Sequence, residues 1–358
     1  MNIVYYITGH GYGHAVRSIE IIKKLLDQDT SCTVHIRTKA PQWLFSVLPK
    51  ERTTYQEVIL DYGVLQKNSF KVDKPATLQA NLDLIARAPS LVKSERLKLE
   101  SLKPDIVVSD ITPLAFEIAE QLSVPSVAVG NFSWDWIYTP FLDEYPAFEP
   151  VIEFIQRHYA KAKHLYRLPF YGDMSAFPNI IDVPLVCRRS DAHAQSIKNR
   201  LGIEKEIFLI ALRENDLTHV NWNNVSLPRE LVGLATFRVP HPQFTQIKEG
   251  LFFFQDLVKT AKIALSKPGY GIVSDCIANQ TRLLYIPRND FAEEPVLQLA
   301  LANFATSERI ERQDLMAGHW HALETLMKKP HHWPKMDLSG AEFTAKEIKK
   351  IAAIELPR

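Results

Sequence analysis

Charge of one sign is what this sequence has least of: 42 Lys and Arg face 41 Asp and Glu, a formal net charge of +1 over 358 residues. That balance supplies neither the basic footprint of a nucleic-acid binder nor an acidic tail. Cysteine is almost as scarce. Cys32, Cys187 and Cys276 stand far apart, without paired or metal-ligand spacing, and read as reduced thiols of a cytoplasmic protein. No apolar run approaches the ~20 residues a membrane span needs. The longest candidates, such as Leu251–Phe254 (LFFF), read as short strands. The opening MNIVYYITGHG has no early basic residue and reads as a strand, not a signal peptide. A soluble protein is expected, with peripheral membrane contact left open. His331 and His332 are adjacent and lack ligand spacing, so no metal site is expected.

What is present is globular material, with no low-complexity block and no internal repeat. A chain of 358 residues is too long for one ordinary core, which implies two domains. In the first half, segments of two periodicities alternate. Asn2–Thr8, Thr33–Thr38, Asp105–Ser109 and Ser126–Val129 read as buried strands. Between them, Ala15–Leu26, roughly Ala76–Leu102 and the region around Leu114–Gln121 read as helices. The pattern restarts at Glu206–Leu212 after the polar stretch Arg188–Arg200, read as a linker. A loop at Ser266–Gly271, a helix from about Ile272 and a strand at Arg282–Pro287 follow. Helices near Gln313–Met327 and Ala341–Ile354 end the chain. Strands separated by helices imply parallel sheets. The expected architecture is two Rossmann-like α/β domains facing each other across a cleft, residues 1–190 and 191–330, with 331–358 packing back on the first.

The first strand runs into Gly9-His10-Gly11-Tyr12-Gly13-His14. A glycine turn between strand and helix exposes N–H groups at the positive end of a helix dipole, and Gly11 and Gly13 let a substrate approach the backbone. Two readings compete. The dinucleotide fingerprint needs a third glycine where this chain has His14, and Arg37-Thr38-Lys39 ends the second strand without a ribose-binding acid. An NADP site is therefore the weaker reading. A histidine at the helix start can instead take a proton from a substrate hydroxyl. Such a base needs a carboxylate to orient it. Asp110 and Asp135 both follow strands and belong to the carboxyl edge where ligands bind, although capping is the plainer role for each. Whether His10 shares the work of His14 stays open, as does a packing role for either.

In the second half, Lys267-Pro268-Gly269-Tyr270-Gly271 precedes Ile272-Val273-Ser274-Asp275, another glycine turn that suits a pyrophosphate. Asp275, one turn after Gly271, is placed to take both hydroxyls of a ribose. Glu293 and Glu294 can accept hydrogen bonds from a sugar, or simply open a helix at Pro295 as a solvated pair.

The runs ITGHGYGHAVRSIEI, VVSDITP, NFSWDWIY, RLPFY, IDVPLVCRR, KPGYGIVSD and RNDFAEEP resemble the glycosyltransferase-like N-terminal region of plant L-arabinokinase and its bacterial stand-alone relatives. More distantly the chain is similar to inverting glycosyltransferases of GT-B fold. The resemblance covers about residues 3 to 300, and the galactokinase-like kinase domain of the plant enzyme has no counterpart. It implies that 1–190 is the acceptor-side domain and 191–330 the nucleotide-sugar donor domain. His14 matches the base closing the glycine loop, Asp275 the ribose-binding acid, and Glu293 and Glu294 the donor-sugar pair. Gly269 and Gly271 match the diphosphate turn, with Tyr270 and Ser274 in the same donor site. One departure stands out. Where many relatives carry a Gly-Gly pair, this chain reads Leu212-Arg213-Glu214-Asn215, so Arg213 either contacts phosphate or marks an altered site.

The expected activity is metal-independent, inverting transfer from a nucleotide sugar, a UDP-sugar first, with no cofactor. The acceptor is a carbohydrate, a lipid-linked or a small-molecule hydroxyl, met by Leu60–Asp73, Trp134, Trp136 and Tyr138, with packing the plainer role for at least half of these aromatics. The alternatives are a nucleotide-sugar epimerase or hydrolase on the same fold, and a non-catalytic sugar-nucleotide binder.

Overall fold

The computed structural model describes residues 1–68, 71–248, 250–288 and 290–354. It falls into two compact units: Met1–Val186 with Asp290–Glu293 and Asp337–Arg358, and Cys187–Asn289 with Glu294–Met336. The first unit ends at Val186 where the sequence suggested residue 190, and the expected return of the chain begins at Asp337 where it suggested 331. Residues 290–293 also group with the first unit.

The first unit contains β1 (Asn2–Ile7), β2 (Thr33–Thr38), β3 (Thr53–Glu57), a small antiparallel pair β4 (Gln66–Asn68) and β5 (Lys71–Val72), β6 (Ile106–Asp110), β7 (Ser126–Gly130), β8 (His164–Arg167) and β9 (Ile180–Asp182). Seven of them form one parallel sheet in the order β3-β2-β1-β6-β7-β8-β9. Helices α1 (Tyr12–Gln28), α2 (Lys74–Glu100), α3 (Leu114–Gln121), α4 (Trp134–Tyr138) and α5 (Glu149–Tyr159) belong to the same unit. Ile3 to Ile7 are all buried, as expected of a strand covered on both faces. On α1, Ile19, Ile22, Leu25 and Leu26 form the buried stripe that its periodicity implied. The edge strand β3 (TTYQE) escapes a hydrophobic reading because its side chains are mostly half-buried or exposed.

The second unit repeats the plan. Its strands β10 (Glu206–Ile210), β11 (Leu231–Ala235), β12 (Phe244–Gln246), β13 (Ala261–Ser266), β14 (Arg282–Tyr285) and β15 (Ser307–Arg309) form a parallel sheet in the order β12-β11-β10-β13-β14-β15. Its helices are α6 (Ala194–Leu201), α7 (Phe254–Thr260), α8 (Tyr270–Asn279), α10 (Arg312–Ala317), α11 (His321–Lys328) and all but the first residue of α9 (Glu293–Phe304). The last helix, α12 (Gly340–Ile354), packs against α1 in the first unit, with Lys349 Nζ donating to the Gln28 carbonyl at 3.0 Å.

Three local expectations are corrected. Arg188–Arg200 is not a linker, since Ala194–Leu201 is helical with Ile197 buried. Leu251–Phe254 is not a strand. Leu251 and Phe252 form a bend, Phe253 is 59% exposed, and Phe254 already begins α7. The helix expected from Ile272 begins at Tyr270, because Gly269 is its extended N-cap.

Each sheet has one position where the strand order reverses: between β1 and β6 in the first, between β10 and β13 in the second. Beyond the carboxyl ends of the strands at such a point, the connections part and leave a crevice for ligands. The chemistry-bearing residues gather at these two places.

Candidate active site

In the first unit, β1 and β6 pair so that Ile7 lies opposite Asp110, and the Thr8 N–H donates to the Asp110 carbonyl at 3.1 Å. The chain then turns at Gly11, whose φ of 71° suits glycine, and enters α1. His14, on the first turn, meets Asp110 at 2.7 Å between Nδ1 and Oδ1. Arg17, one turn further on, closes a fork on the same carboxylate, Nη2 to Oδ1 at 2.6 Å and Nε to Oδ2 at 2.7 Å. The Ser18 hydroxyl donates to Oδ2 at 3.0 Å. Both oxygens therefore accept twice, which satisfies a buried carboxylate. Burial alone would raise the Asp110 pKa, but the neighbouring Arg17 and then His14 hold it well below the usual carboxylate range.

An ionised Oδ1 at 2.7 Å calls for a proton on Nδ1, which leaves Nε2 as the basic nitrogen. Arg17 Nη2 also lies 2.9 Å from Nδ1 and repels a second proton on the ring. Burial, the largest influence, together with Arg17 outweighs Asp110 and Glu293, so the His14 pKa is lowered. The imidazole is neutral at pH 7 and competent to accept a proton.

Asp61, from the segment read as acceptor-side, is a second buried carboxylate here. It accepts from the Thr8 and Thr112 hydroxyls, each at 2.7 Å, and burial pushes its pKa from 3.8 up to about 6. The sign follows from linkage. The folded protein holds this proton where the unfolded chain releases it, so stability falls as pH rises from 3.8 to about 6 and is level above. Asp61→Asn should therefore gain on the wild type through that window, to roughly 3 kcal/mol above it at 1.36 kcal/mol per unit. Urea midpoints at pH 4 to 7 check this, and an offset independent of pH would refute it.

The other residues expected on this side are placed differently. His10 packs edge-on to Trp134 at 5.2 Å and stacks on Phe291 at 6.0 Å. Trp134 and Tyr138 are fully buried and stack on each other, so they wall the site from behind and do not face an acceptor. The indole of Trp134 does lie 6.3 Å from the His14 ring. Asp135 turns to Gln156 on α5, at 3.3 Å, so Asp110 alone of the two aspartates partners His14. Burial raises the Asp135 pKa. The exposed aromatics beside the glycine turn are Tyr12 and Trp43, edge-on at 5.7 Å. A Cβ added at Gly11 or Gly13 would meet nothing within 4 Å, so the turn faces open space. Ser69 and Phe70 of the acceptor segment lie outside the described residues.

At the second switch point, Gly269 caps α8 without a side-chain bond, and open space lies before it. Lys267 bonds Asp216 at 2.9 Å, and Arg288 Nη2 donates to the Pro268 carbonyl at 2.8 Å. Burial first, then the charges of Arg288 and Arg213, lower the Lys267 pKa against the pull of Asp216. Three cations thus surround one helix N-terminus, of which only Arg213 was picked out from the sequence. Ser274 Oγ donates to the Gly271 carbonyl at 3.0 Å, and Tyr270 is buried, so neither side chain faces the turn's open side.

Two donor-side groups are placed differently from the expectation. Asp275 is buried, accepting from the Arg188 backbone N–H at 3.0 Å and from Arg188 Nε at 2.9 Å. Glu293 and Glu294 do not act as a pair, because adjacent residues at a helix start diverge by about 100°. Glu294 binds Arg288 and Gln298 in the second unit, whereas Glu293 accepts from Asn131 at 2.8 Å in the first. Asn289, in the same polar loop, lies outside the described residues. Arg17 and Asn131 were missed. The i, i+3 spacing of His14 and Arg17 on one helix face was the available signal for the first.

Two parallel α/β sheets, each with its polar residues at a strand-order reversal, make up the GT-B fold of glycosyltransferases. Residues 1–139 match the sequence model described as Glycosyl transferase family 1. Over 327 residues the chain is 32% identical to the L-arabinokinase of Arabidopsis thaliana, which covers 88% of this chain and 31% of that protein. The chain therefore spans about a third of the length of that curated relative. Among solved structures, the glycotransferase of kitacinnamycin superposes with a TM-score of 0.63 at 13% identity, covering 99% of both chains. A UDP-glucosyltransferase from Polygonum tinctorium capable of glucosylating indoxyl gives 0.61 at 10% identity, covering 99% of this chain and 93% of that one. No described helix is long and apolar enough to cross a membrane.

Proposed function

We propose that this protein transfers a sugar from a nucleoside-diphosphate donor to an acceptor hydroxyl, with inversion and without a metal ion. The observation that carries this reading is the buried His14–Asp110 pair at the reversal point of the first sheet. His14 Nε2 takes the hydroxyl proton as the oxygen attacks the anomeric carbon, and Asp110 stabilises the imidazolium. The bond to the diphosphate breaks, and its developing charge falls to the N–H groups of α8 and to Lys267, Arg288 and Arg213. A hydroxyl of a carbohydrate or small aglycone, laid over Gly11 and Gly13 beside Tyr12 and Trp43, fits the first unit.

A thermal-shift panel of UDP, GDP, dTDP, ADP and CMP tests the donor half. A nucleotide at 100 times its Kd should stabilise by about 2.7 kcal/mol, with UDP expected first. Lys267→Ala should weaken the binding nucleotide by about 10- to 100-fold, as loss of a charge-assisted hydrogen bond implies. Turnover unaffected by EDTA and a product of inverted anomeric configuration complete the test. Retention or a metal requirement would overturn the mechanism.

One observation favours a second reading, a sugar-nucleotide-binding protein without turnover: Arg188 already occupies Asp275. Such a protein would bind one nucleotide tightly and consume no donor with any acceptor. A hydrolase or epimerase would consume or convert it with none.

A further inference from the structure

We propose that Arg17 and Glu293 are positioning residues for His14: Arg17 locks Asp110 and the imidazole in one geometry, and Glu293, through Asn131, fixes Arg17. This rests on the reading of His14 as the base and departs from the donor-sugar role that resemblance implied for Glu293. The chain of contacts is continuous and buried throughout. From Arg17, Nη1 donates to Asn131 Oδ1 at 2.6 Å, while Nε and Nη2 hold Asp110. Asn131 Nδ2 donates to Glu293 Oε1 at 2.8 Å and to the Phe170 carbonyl at 3.3 Å. His14, Arg17, Asp110, Asn131 and Glu293 are each more than nine-tenths buried.

The orientation of Asn131 follows from its neighbours. A guanidinium can only donate and a carboxylate only accept, so the amide oxygen must face Arg17 and the amide nitrogen Glu293. That arrangement holds Nη1 of Arg17 while Nε and Nη2 close on Asp110. Glu293 is also the first residue of α9, and from Glu294 onward that helix belongs to the second unit. The anchor of the base is therefore covalently next to Glu294, which holds the Arg288 backbone N–H.

The charges act on the imidazole with opposite signs. Asp110 and Glu293 favour its protonated form, whereas Arg17 opposes it. Tyr5 and Asp61 also interact with Asp110, and Tyr5 feels the charge of Arg17 as well. Glu293→Gln keeps an acceptor for Asn131 and removes one negative charge. It should lower the His14 titration midpoint by about 0.5 pH unit or more. Arg17→Gln should raise that midpoint, and Arg17→Lys, which keeps the charge but not the fork, should restore it in part.

The midpoint is read by NMR of imidazole-labelled protein, with the His14 signal assigned through His14→Gln, and in parallel from the acid limb of kcat/KM. Opposite displacements with an unchanged donor KM support the inference. A Glu293→Gln protein whose donor KM rises while its His14 midpoint stays in place overturns it and returns Glu293 to the donor sugar. If Arg17→Gln does not fold, Glu293→Gln decides alone. Displacements seen in a protein that turns over no acceptor would support the positioning network and count against the transferase reading.

Discussion

Asp110→Ala is expected to lower the stability of the first unit by about 3–5 kcal/mol, the cost of stripping a buried charge of its partner. The burden falls on Arg17, whose fork closes on Asp110 at 2.6 and 2.7 Å and would be left charged in a dry site. A double variant, Asp110→Ala with Arg17→Met, should recover part of the loss, because it removes the orphaned charge together with its partner. The pH dependence follows from the depressed Asp110 pKa. Its contribution is fully present above the unfolded value of 3.8 and is lost as pH falls below that value. Urea unfolding followed at neutral pH and at pH 3 measures both effects. A wild-type midpoint for Asp110→Ala would show that the pair contributes nothing.

His14→Ala is expected to reduce turnover by about 10²–10⁴-fold, the usual worth of a general base. Nucleotide affinity should be unchanged, since the proposed mechanism puts the nucleotide in the second unit. His14 is 6% exposed and packs edge-on against Phe132 at 5.3 Å, so its removal also leaves a small void. Stability loss and activity loss are separable: His14→Gln fills most of the space but cannot serve as the base. Equal, large losses of kcat in the two variants with near-native unfolding would assign the effect to proton transfer. Full turnover by either one would remove His14 from the mechanism.

The two predictions share a physical origin. The fork that stabilises Asp110 also keeps it ionised, and an ionised Asp110 selects the His14 tautomer with a basic Nε2. In the proposed mechanism, stability and proton transfer therefore both depend on one carboxylate with four hydrogen bonds. Ile111, immediately after Asp110, takes φ of 56°, a conformation that β-branched residues avoid. Tyr159 holds its carbonyl at 2.8 Å. Strain of this kind persists where the surroundings over-determine a turn, as they do at this strand end.

Much of this protein was determined by the sequence alone. The alternation of buried strands with amphipathic helices implied a parallel sheet in each half, since periodicity is a local property of the chain. However, β3, β8, β9, β11, β12, β13 and β15 were not read as strands. Two glycine turns, each between a strand and a helix, marked both reversal points. His14 and Asp110 were readable because strand ends in a parallel sheet share one edge, whatever the intervening segments do. Partnerships between residues distant in sequence came only from the folded arrangement. Arg17 and Asp110 are 93 positions apart, and Asn131 and Glu293 are 162 apart. Nothing in the local pattern distinguishes a carboxylate that faces a ligand from one already held by a cation. Asp275 was read as ligand-facing and is held by Arg188; Trp134 was read as acceptor-facing and is core. Adjacent Glu293 and Glu294 looked like one feature, yet at a helix start their side chains diverge and join different networks. A hydrogen bond is chosen by distance and direction in space, and the chain fixes these only once both sheets have closed.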